Sequence, residues 1–154
     1  MKYEQLKNYI IKPSLEDIGL YSQSAENLLL GTACTESNCG EYVHQVNGPA
    51  LGIYQMEPAT HYDIWSNFLK YKENIVRNIL LLCNFNEAPD SQEMVCNLKY
   101  ATIMARIHYL RVPKVLPSAN DLNALGDYYK QYYNTPLGKG SSEKFKEDFL
   151  KYSK

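Results

Sequence analysis

The chain has 154 residues, enough for one domain with a sizeable core. Hydrophobic residues make up 45% and charged residues 21%, a profile that excludes a disordered chain. The formal net charge of -1 gives no bulk-charge support for binding nucleic acid or an anionic membrane.

Taken in chain order, the pattern is mostly helical. Tyr3, Leu6, Ile10 and Ile11 recur at helical spacing and predict a first amphipathic segment over 3–11. Pro13 is expected to interrupt it. Ser14-Leu15-Glu16-Asp17 reads as a capping signal that restarts a short helix to about Leu20. Ser22 or Ser24 then caps a strongly apolar helix, Leu28-Leu29-Leu30-Gly31-Thr32-Ala33-Cys34, with Gly40 as its stop.

Residues 41–56 change character. Tyr42, Val43 and Val46 favour strand, and Asn47-Gly48-Pro49 is a turn, so a small irregular or β-like lobe is expected. Pro58 opens a new helix with Thr60-x-x-Asp63 as its capping box. Helices at about 60–70 and 72–84 follow. Ser91 caps a long, largely buried helix to about Arg111. A tyrosine-dense helix over 121–133, a glycine-bearing loop over 135–140 and a terminal helix over 141–152 complete the pass. The terminal helix turns Phe145 and Phe149 inward. No repeats, linkers or low-complexity segments break the chain, so residues 1–154 are read as one domain.

Glu36 closes the apolar helix and is followed at once by a polar turn. A carboxyl group at the rim of an apolar helix is partly desolvated, which favours its neutral form and raises its pKa. That suits a general acid working near neutral pH. Sixteen residues later comes Gly52-Ile53-Tyr54-Gln55. Glycine lets backbone approach a ligand closely. Glutamine offers both a donor and an acceptor, suited to sugar hydroxyls and acetamido groups.

Glu36-Ser37, then Gly52-x-x-Gln55-x-x-Pro58-x-Thr60, resembles the lysozyme-like superfamily, in its goose-type lysozyme and soluble lytic transglycosylase branch. Tyr132-Tyr133-Asn134-Thr135-Pro136-Leu137-Gly138-Lys139-Gly140 resembles that branch's Tyr-Asn-x-Gly-x-Gly motif, with extra residues after the asparagine. The resemblance spans roughly residues 28–140 and rests on few specific positions. It implies a mainly α (α+β), two-lobed domain with a minor β-like lobe and a glycan cleft between the lobes. It implies cleavage of the β-1,4 bond between N-acetylmuramic acid and N-acetylglucosamine in peptidoglycan, with Glu36 catalytic. Ser37, Gly52, Tyr54, Gln55, Tyr133 and Asn134 are then expected to bind substrate.

Hydrolytic glycosidases normally use two carboxylates. Glu41, entering the β-like lobe, is the expected second one; Glu57 and Asp63 are further candidates. The branch resembled acts without an obvious nucleophilic carboxylate, so hydrolysis and transglycosylation both stay open.

No cofactor or metal is expected. His44, His61 and His108 lack metal-ligand spacing, and no C-x-x-C pair is present. Cys34 or Cys39 with His44 lacks the third member of a thiol-protease site. The four cysteines allow three full pairings. They read as free core thiols or as a framework in which Cys83–Cys96 closes a loop between helices. The 14 tyrosines fit either a sugar-stacking groove or a core with wet rims.

The first thirty residues show no secretory pattern, and no apolar run approaches the roughly 20 residues that span a bilayer. A monomer acting on the bacterial cell wall is expected, delivered by a phage virion or, as an endolysin, through a holin-type pore. Two other classes stay open: a non-catalytic peptidoglycan-binding or virion structural protein, and a helical module whose tyrosines form a protein interface.

Overall fold

The structure, a computed structural model, describes residues 1–134 and 140–154. It is mainly helical. In chain order come α1 (Tyr3–Leu6), a π-helical turn (Lys7–Ile11), α2 (Lys12–Asp17), α3 (Gln23–Ser37), α4 (Pro58–Asn67), a 3-10 turn (Leu69–Tyr71), α5 (Glu73–Cys83), α6 (Glu93–Cys96), α7 (Leu98–Leu110), α8 (Leu122–Tyr132) and α9 (Ser142–Tyr152).

Helix α3 is the axis of the molecule. Ser22 caps it, its hydroxyl accepting from the Ala25 N–H at 3.0 Å. Leu28, Leu29, Leu30, Ala33 and Cys34 are fully buried on all its faces, as a helix apolar all round must be. It packs against α7, α8, α9 and the first helical run. Gly31 is needed where α9 crosses. A Cβ there would sit 2.0 Å from the Phe145 ring, so the ring rests directly on α3 backbone.

Pro13 does not interrupt the first helix. The chain stays helical from α1 through α2, with the π turn immediately ahead of the proline. Widening that turn relieves the clash a proline ring makes with the carbonyl four residues earlier. Ser14 is therefore a buried residue inside α2, not a cap. The helix expected from Ser91 is also divided. Asn97 ends α6 and caps α7, its side chain accepting from the Tyr100 N–H at 2.9 Å, so local side-chain bonding overrides the apolar periodicity. Pro58 opens α4 itself, which places Thr60 inside the helix; Asp63 bonds Asn67 and Arg111 instead of capping.

Residues 41–56 form an irregular segment held by two isolated antiparallel bridges, His44 to Leu51 and Leu51 to Met56, with no strand among the described residues. Three fully buried tyrosines serve the core with their hydroxyls partnered: Tyr54 with Thr102 at 3.0 Å, Tyr109 with Thr32 at 2.8 Å, Tyr100 with His61 at 2.6 Å. All four cysteines are free thiols. Cys83 and Cys96 are not bridged. The thiols that meet are Cys34 and Cys39, buried at the end of α3. Among the described residues no helix is long and apolar enough to cross a membrane.

Candidate functional site

Helix α3 ends in three successive left-handed residues, Asn38 (φ 52°), Cys39 (φ 60°) and Gly40 (φ 77°). Asn38, not Gly40, is the cap. This tight reversal leaves Glu36 in the last turn of an apolar helix, at the floor of a cleft of about 640 Å³. One wall of the cleft is the irregular 41–56 segment. The other is built from the ends of α8 and α9.

The 41–56 segment is tied to α3 by Ser37. Its buried hydroxyl lies 2.6 Å from the Ile53 carbonyl, 3.0 Å from the Ala33 carbonyl, and accepts from the Gly40 N–H at 3.0 Å. Gly52 takes φ 75°, and a Cβ on it would lie 2.5 Å from the Met94 carbonyl oxygen. Only glycine fits both constraints. Gln55 also takes a left-handed conformation (φ 49°), and its side-chain amide donates to the Gly52 carbonyl at 2.9 Å. With its N–H engaged there, Gln55 has its carbonyl oxygen left as an acceptor on the cleft wall.

From the opposite wall, the Tyr129 hydroxyl donates to Glu36 Oε1 at 2.6 Å. The Asn134 side chain also hydrogen-bonds Glu36. Lys130 donates to Asn134 Oδ1 at 3.0 Å, which turns the amide N–H groups toward the carboxyl. Tyr133 donates to the Tyr54 carbonyl at 2.6 Å, joining α8 to the Gln55 segment, and its ring stacks on Tyr129 with centroids 6.1 Å apart. Lys144 from α9 lines the cleft, donating to the Thr35 carbonyl at 3.2 Å and pairing with Asp148.

Burial raises the Glu36 pKa above the ordinary glutamate value. Hydrogen bonds from Tyr129 and Asn134, and the Lys144 charge, oppose that rise without cancelling it. The carboxyl is thus held neutral to higher pH than a free glutamate, while its orientation is fixed by two donors. Burial pushes the Tyr129 and Tyr133 hydroxyls far above their ordinary range, so both remain donors.

Glu36, Gln55, Tyr133 and Asn134 share the cleft. Ser37, Gly52 and Tyr54 do not line it. All three are buried behind its wall, with Ser37 on the Ile53 carbonyl, Gly52 on the Met94 backbone and the Tyr54 hydroxyl on Thr102. They shape the wall rather than face a ligand. Glu41 is exposed, within 3.4 Å of the Asn38 amide, and does not line the cleft. Glu57 does line it, immediately after the Gln55-Met56 turn. Asp63 is held by Arg111 and Asn67. The loop of the third motif over 135–139, including Gly138, lies outside the described residues. Gly140 is described and matters: a Cβ there would fall 2.3 Å from the Tyr129 hydroxyl and 2.7 Å from Asn134 Nδ2, the two groups that hold Glu36.

Among the described residues no cluster of His, Cys, Asp and Glu is placed to hold a metal. No protein-family model matches the sequence, and no curated protein or solved structure matches it.

Tyr129, Lys144 and His108 are cleft residues that the sequence does not announce, whereas Glu57 was already a candidate second carboxylate. Tyr129 had one signal, standing four residues before Tyr133 and so on the same face of α8. Lys144 had none, since its place depends on how α9 crosses α3.

Proposed function

We propose that this chain cleaves the glycan strands of peptidoglycan at the β-1,4 bond between N-acetylmuramic acid and N-acetylglucosamine, in a cleft between a helical lobe and the irregular 41–56 lobe. The observation that carries the reading is Glu36. It is a carboxyl group with a raised pKa at the floor of a cleft, oriented by Tyr129 and Asn134, with the Gln55 acceptor also in the cleft. Perturbed acids in clefts mark functional sites, and the likeness of Glu36-Ser37 and Gly52–Gln55 to the lytic transglycosylase branch supplies the substrate class.

In this reading protonated Glu36 gives its proton to the glycosidic oxygen as the bond from the muramyl C1 breaks, and N-acetylglucosamine leaves as the alcohol. The resulting carboxylate then accepts a proton from the attacking hydroxyl while that oxygen bonds to C1. If the attacker is the muramyl 6-hydroxyl, the product is the 1,6-anhydro sugar. If it is water, the product is a reducing end. Glu57 lines the same cleft and is the carboxylate available to hold that water.

Digestion of purified peptidoglycan with mass analysis of the fragments tests this directly. Glu36→Gln is expected to lower the rate by roughly 10²–10⁴-fold, the usual worth of a general acid. Retention of a tenth of the wild-type rate would remove Glu36 from that role. Glu57→Gln is expected to slow cleavage if reducing ends are formed, and to leave it nearly unchanged if anhydro ends are.

A further inference from the structure

His108 lies in the same cleft and takes no part in the chemistry above. It sits on α7, edge-on to Tyr133 with ring centroids 4.8 Å apart. Because Tyr133 stacks on Tyr129, and Tyr129 holds Glu36, a row of rings runs along the cleft wall from the acid to His108. His108 therefore stands on the same cleft wall as the rings that reach Glu36.

Its tautomer is determined. Arg111 Nη2 lies 3.0 Å from His108 Nδ1. A guanidinium can only donate, so Nδ1 is the bare acceptor and the ring proton is on Nε2. Arg111 is itself held by Asp63 of α4, and Asp63 by Asn67 at 2.6 Å. This chain of donors fixes ring and proton together. The ring also stays neutral, since burial and the Arg111 charge press its pKa down to about 3. Nε2 has no hydrogen-bond partner among the described residues, and it is not sealed from solvent as the His61 Nδ1 is. A neutral, oriented N–H without a partner among the described residues thus belongs to a residue that lines the cleft. Such a group does not suit proton transfer. It suits an uncharged carbonyl acceptor.

We infer that His108 is a specificity-determining residue whose Nε2–H donates to the acetamido carbonyl of a bound amino sugar, with Asp63 and Arg111 as positioning residues that lock its tautomer. This rests on the glycan reading of the cleft. It gives the cleft a means of telling an N-acetylated strand from a de-N-acetylated one, a distinction Glu36 cannot make.

The test uses the full chain and two defined probes, the β-1,4-linked tetramer of N-acetylglucosamine and its de-N-acetylated counterpart, with affinities from calorimetry. His108→Leu is expected to weaken binding of the acetylated probe about 3- to 10-fold, the range for one neutral hydrogen bond. It should leave the de-N-acetylated probe unchanged. His108→Gln should recover most of the loss, because its amide can accept from Arg111 and donate to the ligand. Arg111→Met should weaken the acetylated probe as well, and imidazole nitrogen spectra should change from a pure Nε2–H pattern to a tautomer mixture. An equal His108→Leu effect on both probes, no effect on either, or an Nδ1–H ring in the wild type would overturn the inference. The two readings separate. Peptidoglycan cleavage by His108→Leu with unchanged KM sinks the inference and spares Glu36. A His108-dependent preference for the acetylated probe without any cleavage does the reverse.

Discussion

At the scale of single residues, Glu36 is pulled in two directions. Burial favours the neutral acid, while Tyr129, Asn134 and Lys144 favour the carboxylate. The sign of each perturbation follows. Removing the Tyr129 hydroxyl by Tyr129→Phe takes away a bond that stabilises the anion, so the Glu36 pKa should rise further. General-acid activity is lost as pH rises through that pKa, so the alkaline limb of the rate profile should move to higher pH, at a lower maximum. A limb that moves down, or stays, would mean that Tyr129 does not act on Glu36. Stability carries the same signature. A carboxyl whose folded pKa lies above its unfolded one contributes stability at low pH that is lost as pH rises through the folded value. Glu36→Gln removes the ionising group. Its melting temperature should therefore exceed wild type at neutral pH, with the gain vanishing below the ordinary glutamate pKa. Melting curves from pH 3 to 8 would show it, and a difference independent of pH would contradict it.

At the scale of elements, the cleft depends on how close α8 and α9 come where the chain re-enters at Gly140. Gly140→Ala is expected to displace the Tyr129 hydroxyl and the Asn134 amide from Glu36, cutting cleavage at least tenfold. The thermal transition should stay within a few degrees of wild type, because the clash falls on the Tyr129 hydroxyl and the Asn134 amide at the cleft rather than on a packed ring. A variant that retains full activity would show that the two donors are dispensable.

The same scale shows what the sequence could and could not convey. The existence of nearly every helix was legible, because apolar spacing and caps such as Ser22, Asp121 and Ser141 are local. Pro13 and Ser91 misled for one reason. A π turn and an asparagine cap are settled by hydrogen bonds that periodicity does not register. In the site, Gln55, Tyr133 and Asn134 were readable from their spacing and their likeness to a known motif. The burial of Ser37 and Tyr54, and the arrival of Tyr129, Lys144 and His108, were not. Each depends on contacts between segments far apart in the chain.

At the scale of the whole molecule, protection should follow the layers around α3. Cys96 is exposed, Cys83 half-buried, and Cys34 and Cys39 sealed in the core. A thiol reagent under native conditions is expected to label Cys96 at once and Cys83 slowly, with Cys34 and Cys39 labelled only on unfolding. Mass analysis of the labelled peptides would check the order. Early labelling of Cys34 would show that the end of α3, and Glu36 with it, opens locally.

The seat of Phe145 on the Gly31 backbone makes positions 31 and 145 a single variable. Alanine at 31 gains about 1 kcal/mol of helix propensity, yet the clash it creates should cost about 1–3 kcal/mol. Gly31→Ala alone should lower the melting temperature, Phe145→Leu alone should leave a cavity, and the double variant should be more stable than the sum of the two losses. The consequence is evolutionary. In any descendant lineage a larger residue at 31 must arrive with a smaller one at 145. Covariation of two positions 114 apart would then mark the crossing of α3 and α9 in relatives too divergent to align by the residues of the cleft.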